Sequence, residues 1–144
     1  HCYTGALEVA LAADFIVAST TARFADTHAK WALTPVWGMS QRLPRRVGVS
    51  TAKRMMFTGA TLKAEEALRV GLAEVVLDNE YFIQEVAQIC KTIVDNSSFT
   101  HAANKTLLET TDGKSLDGGL QWEVYASEGV GPDMQARIAA FNKK

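Results

Sequence analysis

Apolar residues are distributed in two different ways along this chain. In the first half they come as short runs broken by turn formers. Residues 5–13 are small or aliphatic apart from a single charge, Glu8, and predict a short helix. Residues 15–18 form an uninterrupted apolar run between Asp14 and Ser19-Thr20-Thr21, which predicts a buried strand. Residues 24–38 have no period, and Pro35 and Gly38 break them, so a loop-rich connection is predicted. One or two helical turns follow at 41–47, then a helix that Ser50 caps and Gly59 closes. Residues 62–71 predict a helix ended by glycine, and the valines of 73–77 a strand.

The second half changes to helical spacing. After Asp78-Asn79, a long amphipathic helix carries Phe82, Val86, Ile89, Ile93 and Val94 on one side. Three further helices are predicted at 102–109, 116–127 and 134–141. This order divides the chain into a strand-and-helix part, 1–77, and a helical part, 78–144. The apolar face of the helical part has no sheet to cover, so a partner surface is expected.

Composition narrows the class. With 144 residues, 47% hydrophobic and 22% charged, the chain can bury one sizeable core. A net charge of −1 gives no field toward nucleic acid or a membrane surface, and neither is expected as a partner. No apolar run approaches the roughly 18 residues that span a bilayer. Cys2 and Cys90 lie too far apart for metal-ligand spacing and read as reduced thiols, which favours an intracellular setting. No metal or separate cofactor is expected. The chain opens on His1 and enters a motif at once, so an upstream segment is expected.

Glu8 is the residue that apolar patterning does not account for. In a helix that is apolar on every side, a carboxylate costs several kcal/mol of desolvation unless it is paired or protonated. Such a group suits proton transfer. The plainer reading is a first-turn acid that favours the helix dipole. Gly5 strengthens the first reading, because the opening N–H groups of a helix lack internal partners and can hold a developing oxyanion. Trp31 and Trp37 flank Pro35 and read either as walls of an acyl pocket or as packing. Arg42, Arg45 and Arg46 form the densest positive cluster, read first as a solvated face.

These residues carry a resemblance. Thr4-Gly5-Ala6-Leu7-Glu8-Val9-Ala10-Leu11 resembles the glycine turn and Glu-Leu-Ala helix of the crotonase (enoyl-CoA hydratase/isomerase) superfamily. Pro35-Val36-Trp37-Gly38-Met39-Ser40-Gln41-Arg42-Leu43-Pro44 resembles its "P-G-x-G-G-T-Q-R-L-P" signature, and Ala64-Glu65-Glu66-Ala67 its "A-E-E-A" block. The resemblance implies an α/β crotonase-like fold, the ββα superhelix. This chain would be its C-terminal part, a short helix–strand core followed by a helical trimerisation tail. It further implies an acyl-CoA substrate, with coenzyme A present only as part of it, and a homotrimer or dimer of trimers. Glu8 would be the acid/base and the Gly5 N–H one oxyanion donor. Pro35 and Val36 would lie where water is placed, and Phe141 and Lys143 where the tail reaches coenzyme A.

One departure stands out. The family's hydratases carry a second glutamate twenty residues after the first, and His28 occupies that position here. Imidazole can act as acid or base near neutral pH, and Asp26 stands close enough in sequence to orient or replace it. Hydration of a 2-enoyl-CoA is therefore the expected reaction. Isomerisation, decarboxylation, thioester hydrolysis or a non-catalytic CoA-binding subunit are the alternatives. A cytoplasmic location is expected, with mitochondria as the alternative, and these residues alone are expected to be inactive.

Overall fold

The computed structural model describes residues 1–142 and divides into two compact units, 1–87 and 88 onward. The first unit is mixed. Strand β1 (Cys2–Tyr3) runs into helix α1 (Gly5–Ala10), followed by β2 (Val17–Ser19) and β3 (Arg23–Ala25). A 3-10 turn (His28–Trp31) precedes α2 (Met39–Val47) and α3 (Val49–Thr58). Strand β4 (Leu62–Lys63), α4 (Ala64–Arg69) and β5 (Val75–Leu77) complete the unit, and α5 (Phe82–Asp95) leads out of it.

Two small sheets organise this unit. β3 is central in one, parallel to β1 and antiparallel to β4; in the other, β2 pairs with β5 in parallel. In the β1–β3 register, Cys2 lies opposite Phe24 and Tyr3 opposite Ala25. Because the pair is parallel, both strands release their chains at the same end. One chain enters α1 there, and the other enters the 3-10 turn.

The core gathers Leu7, Leu11, Phe24, Met39, Leu43, Met55, Leu62 and Leu72. α2 contributes Met39, Leu43 and Val47, spaced i, i+4, i+8 on one face. Full burial of each such leucine is worth about 1.5–3 kcal/mol. α2 keeps helical form despite Pro44 inside it, at the cost of one main-chain donor. α3 stops at Gly59, whose φ of 60° is left-handed and returns its N–H to the Met55 carbonyl. Gly59→Ala is expected to destabilise the protein by about 1–2 kcal/mol in urea unfolding, from this backbone conformation alone.

Several elements differ from the sequence pattern. The strand expected at 15–18 begins later: Ile16 and Ala18 are buried, Phe15 is 40% exposed, and alternation rather than continuous burial governs it. The loop expected at 24–38 takes in the end of β3, which is defined by its pairing with β1 and β4, and the whole 3-10 turn. Gly48, not Ser50, stands at the start of α3, and Ser50 makes no cap. α1 ends at Ala10. It buries Leu7 and Glu8 but leaves Val9 65% exposed, so it is one-sided within this chain rather than enclosed.

Arg46 ties the unit together: it bridges Glu74 and donates to the Ala13 and Asp14 carbonyls, while Glu74 accepts the Ile16 N–H. This part of the arginine cluster is a clamp. Burial pushes the Cys2 thiol up from its usual range, and Cys90 is exposed.

The second unit comprises the end of α5 with α6 (Ser98–Thr111), α7 (Leu116–Ala126) and α8 (Met134–Phe141). Ser115 caps α7 by accepting the Gly118 N–H, and Trp122 Nε1 donates to Thr110 across the α6–α7 pair. Hydrogen bonds from Arg137 and Ser97 hold the Asp133 carboxyl below the usual carboxylate range. No side chain of α5 to α8 is fully buried, and Leu116, Val124, Tyr125 and Phe141 are exposed. On α5, Phe82, Val86 and Ile89 are partly buried, but Val94, expected on the same face, is exposed.

Candidate active site

At the common exit of β1 and β3 stand three buried polar side chains, Glu8, Asp26 and His28, exposed by 2%, 1% and 8%. They are the buried polar or charged residues among those described. A shared cluster, rather than three isolated accidents, is what makes their burial tolerable.

Glu8 is oriented by main chain. Its Oε1 accepts the N–H of Trp37 at 2.9 Å and of Met39 at 3.1 Å. For both to converge on one oxygen the chain turns sharply between them, and Gly38 takes φ 107° there. Arg42 donates to the Trp37 carbonyl at 2.6 Å and crowds this turn; a Cβ on Gly38 would meet its guanidinium at 2.4 Å. With Oε1 occupied, Oε2 is the oxygen left for proton chemistry.

That oxygen faces His28, whose Nε2 lies 3.8 Å away. This is beyond direct hydrogen-bond range, and an atom hydrogen-bonded to both would sit to one side of the line between them. The other ring nitrogen, Nδ1, lies 2.6 Å from Asp26 Oδ1, which also accepts the His28 main-chain N–H at 3.1 Å. A carboxylate can only accept, so Nδ1 carries a proton and the ring presents Nε2 to Glu8. Asp26 thus fixes the orientation of the ring, with Nδ1 toward Asp26 and Nε2 toward Glu8.

The remaining candidates are placed as follows. Gly5 opens α1, and no hydrogen bond among the described residues uses its N–H. The Trp37 indole lies against it: a Cβ on Gly5 would sit 3.1 Å from Trp37 Cζ3. Pro35 is partly buried, and Val36 is 79% and Trp37 61% exposed, beside the Glu8 anchor. Trp31 ends the 3-10 turn 70% exposed and makes no hydrogen bond or ring contact with the cluster among the described residues. Phe141 ends α8 in the second unit, and Lys143 lies outside the described residues.

Sequence reasoning did not find the two N–H donors to Glu8, because main-chain groups leave no residue signature; Gly38 was the available hint. Nor did it find Thr4 and Thr27, whose hydroxyls meet although 23 positions separate them. No group of three potential metal ligands occurs among the described residues. No described helix is long and apolar enough to cross a membrane.

Comparison with known proteins agrees with this architecture. The enoyl-CoA hydratase/isomerase family profile matches residues 1–129. A short-chain-enoyl-CoA hydratase of Clostridioides difficile is 33% identical over 119 residues, 83% of this chain and 77% of that one. A crotonyl-CoA hydratase of Syntrophomonas wolfei is 34% identical over 97% of this chain and 58% of its own length. The crystal structure of an enoyl-CoA hydratase from Bacillus anthracis superposes with a TM-score of 0.91 at 32% identity, over 99% of this chain and 56% of that one. The chain therefore spans little more than half the length of the latter two. A profile match over most of the residues, with the fold to accompany it, places this chain in the enoyl-CoA hydratase/isomerase family, with the crotonase-like fold.

Proposed function

We propose that the intact protein adds water across the 2,3-double bond of a 2-enoyl-CoA thioester. The observation that carries this reading is a buried carboxylate with one oxygen anchored by two peptide N–H groups and the other turned toward an oriented imidazole. Relatives named as short-chain-enoyl-CoA and crotonyl-CoA hydratases support it.

In this reading the reacting water sits beside the Glu8 Oε2–His28 Nε2 pair, within hydrogen-bond reach of both atoms. Oε2 takes one proton from it as its oxygen bonds to C3. The thioester oxygen gains charge and accepts a hydrogen bond from the Gly5 N–H. An imidazolium at His28, with its charge beside Asp26, delivers a proton to C2. The proton on Glu8 then returns to His28, which restores both groups. The exposed faces of Val36 and Trp37 border the acyl group.

Assembly belongs to the same proposal. The exposed apolar side chains of α6 to α8 support a homotrimer or dimer of trimers, and a monomer by light scattering would contradict it. The reaction is tested by adding crotonyl-CoA to the intact protein and identifying the product by mass spectrometry. The expected product is the 3-hydroxyacyl thioester. On a wider panel of acyl-CoA thioesters, release of free coenzyme A, release of carbon dioxide from a substrate that carries a carboxylate, or a double bond shown by NMR to have shifted would instead assign another reaction of this fold. Binding without turnover would assign a non-catalytic role.

A further inference from the structure

Two hydroxyls join the turn that carries Glu8 to the turn that carries His28. Thr4 is the residue between β1 and α1, and its carbonyl accepts the Glu8 N–H at 2.9 Å. Thr27 stands between Asp26 and His28. Thr4 Oγ1 lies 2.5 Å from Thr27 Oγ1 and accepts the Thr27 N–H at 3.2 Å. The Thr4 N–H donates to the Ala25 carbonyl at 2.8 Å, so main chain and side chain bind the two turns at one residue.

Thr4 does this from an unfavourable conformation. Its φ of 52° and ψ of −110° belong to a region that glycine enters readily and β-branched residues rarely do. Glycine would relieve the backbone here, but it would carry no hydroxyl. Strained residues of this kind persist where the surrounding contacts over-determine them.

We infer that Thr4 is a positioning residue: its hydroxyl, paired with Thr27, fixes the Asp26–His28 turn against the first turn of α1 and so sets the gap between Glu8 Oε2 and His28 Nε2. This rests on the reading of Glu8 and His28 as the proton-transfer pair. Thr4 reaches no substrate in this role. It acts through the spacing of the other two.

The test compares Thr4→Val, which keeps the β-branched shape without the hydroxyl, with Thr4→Ser, which keeps the hydroxyl. In the intact protein Thr4→Val is expected to lower kcat for crotonyl-CoA hydration about tenfold with KM unchanged, since small misplacements of reacting groups are costly. Thr4→Ser is expected to stay within about twofold of wild type. A second readout needs no turnover: nitrogen-15 resonances of the His28 ring, assigned with His28→Gln, should shift in Thr4→Val and return in Thr4→Ser. Equal behaviour of the two variants, or unshifted ring resonances in Thr4→Val, would overturn the inference. If the wild-type protein proves inactive on every enoyl-CoA, the hydratase reading fails, and the ring resonances still decide the positioning role. Should Thr4→Val not fold, Thr27→Val and Thr27→Ser interrogate the same hydroxyl pair from the other turn, with the same expected order.

Discussion

Replacing Glu8 by Gln in the intact protein is expected to lower kcat for crotonyl-CoA hydration by about two orders of magnitude or more, while KM changes little. The substitution is chosen for what it preserves. A glutamine Oε1 still accepts the N–H groups of Trp37 and Met39, so the turn at Gly38 keeps its anchor. The change falls on the other arm, where an amide replaces Oε2 and has no lone pair basic enough to take a proton from water. Steady-state kinetics with circular dichroism as a folding control would check it. A kcat within about threefold of wild type would remove Glu8 from the chemistry, since general bases contribute far more than that.

His28→Gln is expected to reduce kcat by a comparable factor, about 10²-fold, and for a different reason. In the proposed reaction His28 serves C2, whereas Glu8 serves the water. The two roles separate in heavy water with a saturated substrate, butyryl-CoA, which has a C2 proton to exchange and no double bond to hydrate. Wild-type protein should wash deuterium into C2, and His28→Gln should lose that exchange along with hydration. Exchange that continues undiminished would place the C2 proton elsewhere and leave Asp26 as the nearest alternative. Because Asp26 Oδ1 holds both the ring and the main chain of His28, removal of the imidazole also leaves a buried carboxylate with fewer partners, and some loss of stability accompanies the loss of rate.

What the sequence disclosed follows from which interactions leave a trace in residue type. A lone acid within residues 5–13 marked Glu8, because a charge in an apolar run is conspicuous, and its 2% exposure agrees. His28 and Asp26 came into view only through the spacing of a family signature, since a histidine in an irregular segment has no pattern of its own. β1 and β3 were not legible: they are two and three residues long, and their existence depends on each other rather than on local periodicity. The helices of the second half were legible from the sequence, although α6 runs past both ends of the span expected for it and α7 stops one residue short of its own. The enclosure of α1 was overestimated, because Ala6 and Val9 are apolar yet face outward within this chain.

The way Glu8 is held has an evolutionary corollary. Its two donors are peptide groups, which every residue except proline supplies; Met39 is held by the core, but the largely exposed side chain at position 37 can change without releasing the carboxylate. Position 37 is therefore free to be reshaped for acyl groups of different bulk, while the acid it steadies stays where it is. Selection for new substrates and retention of the old chemistry would then act on separate atoms of the same residue.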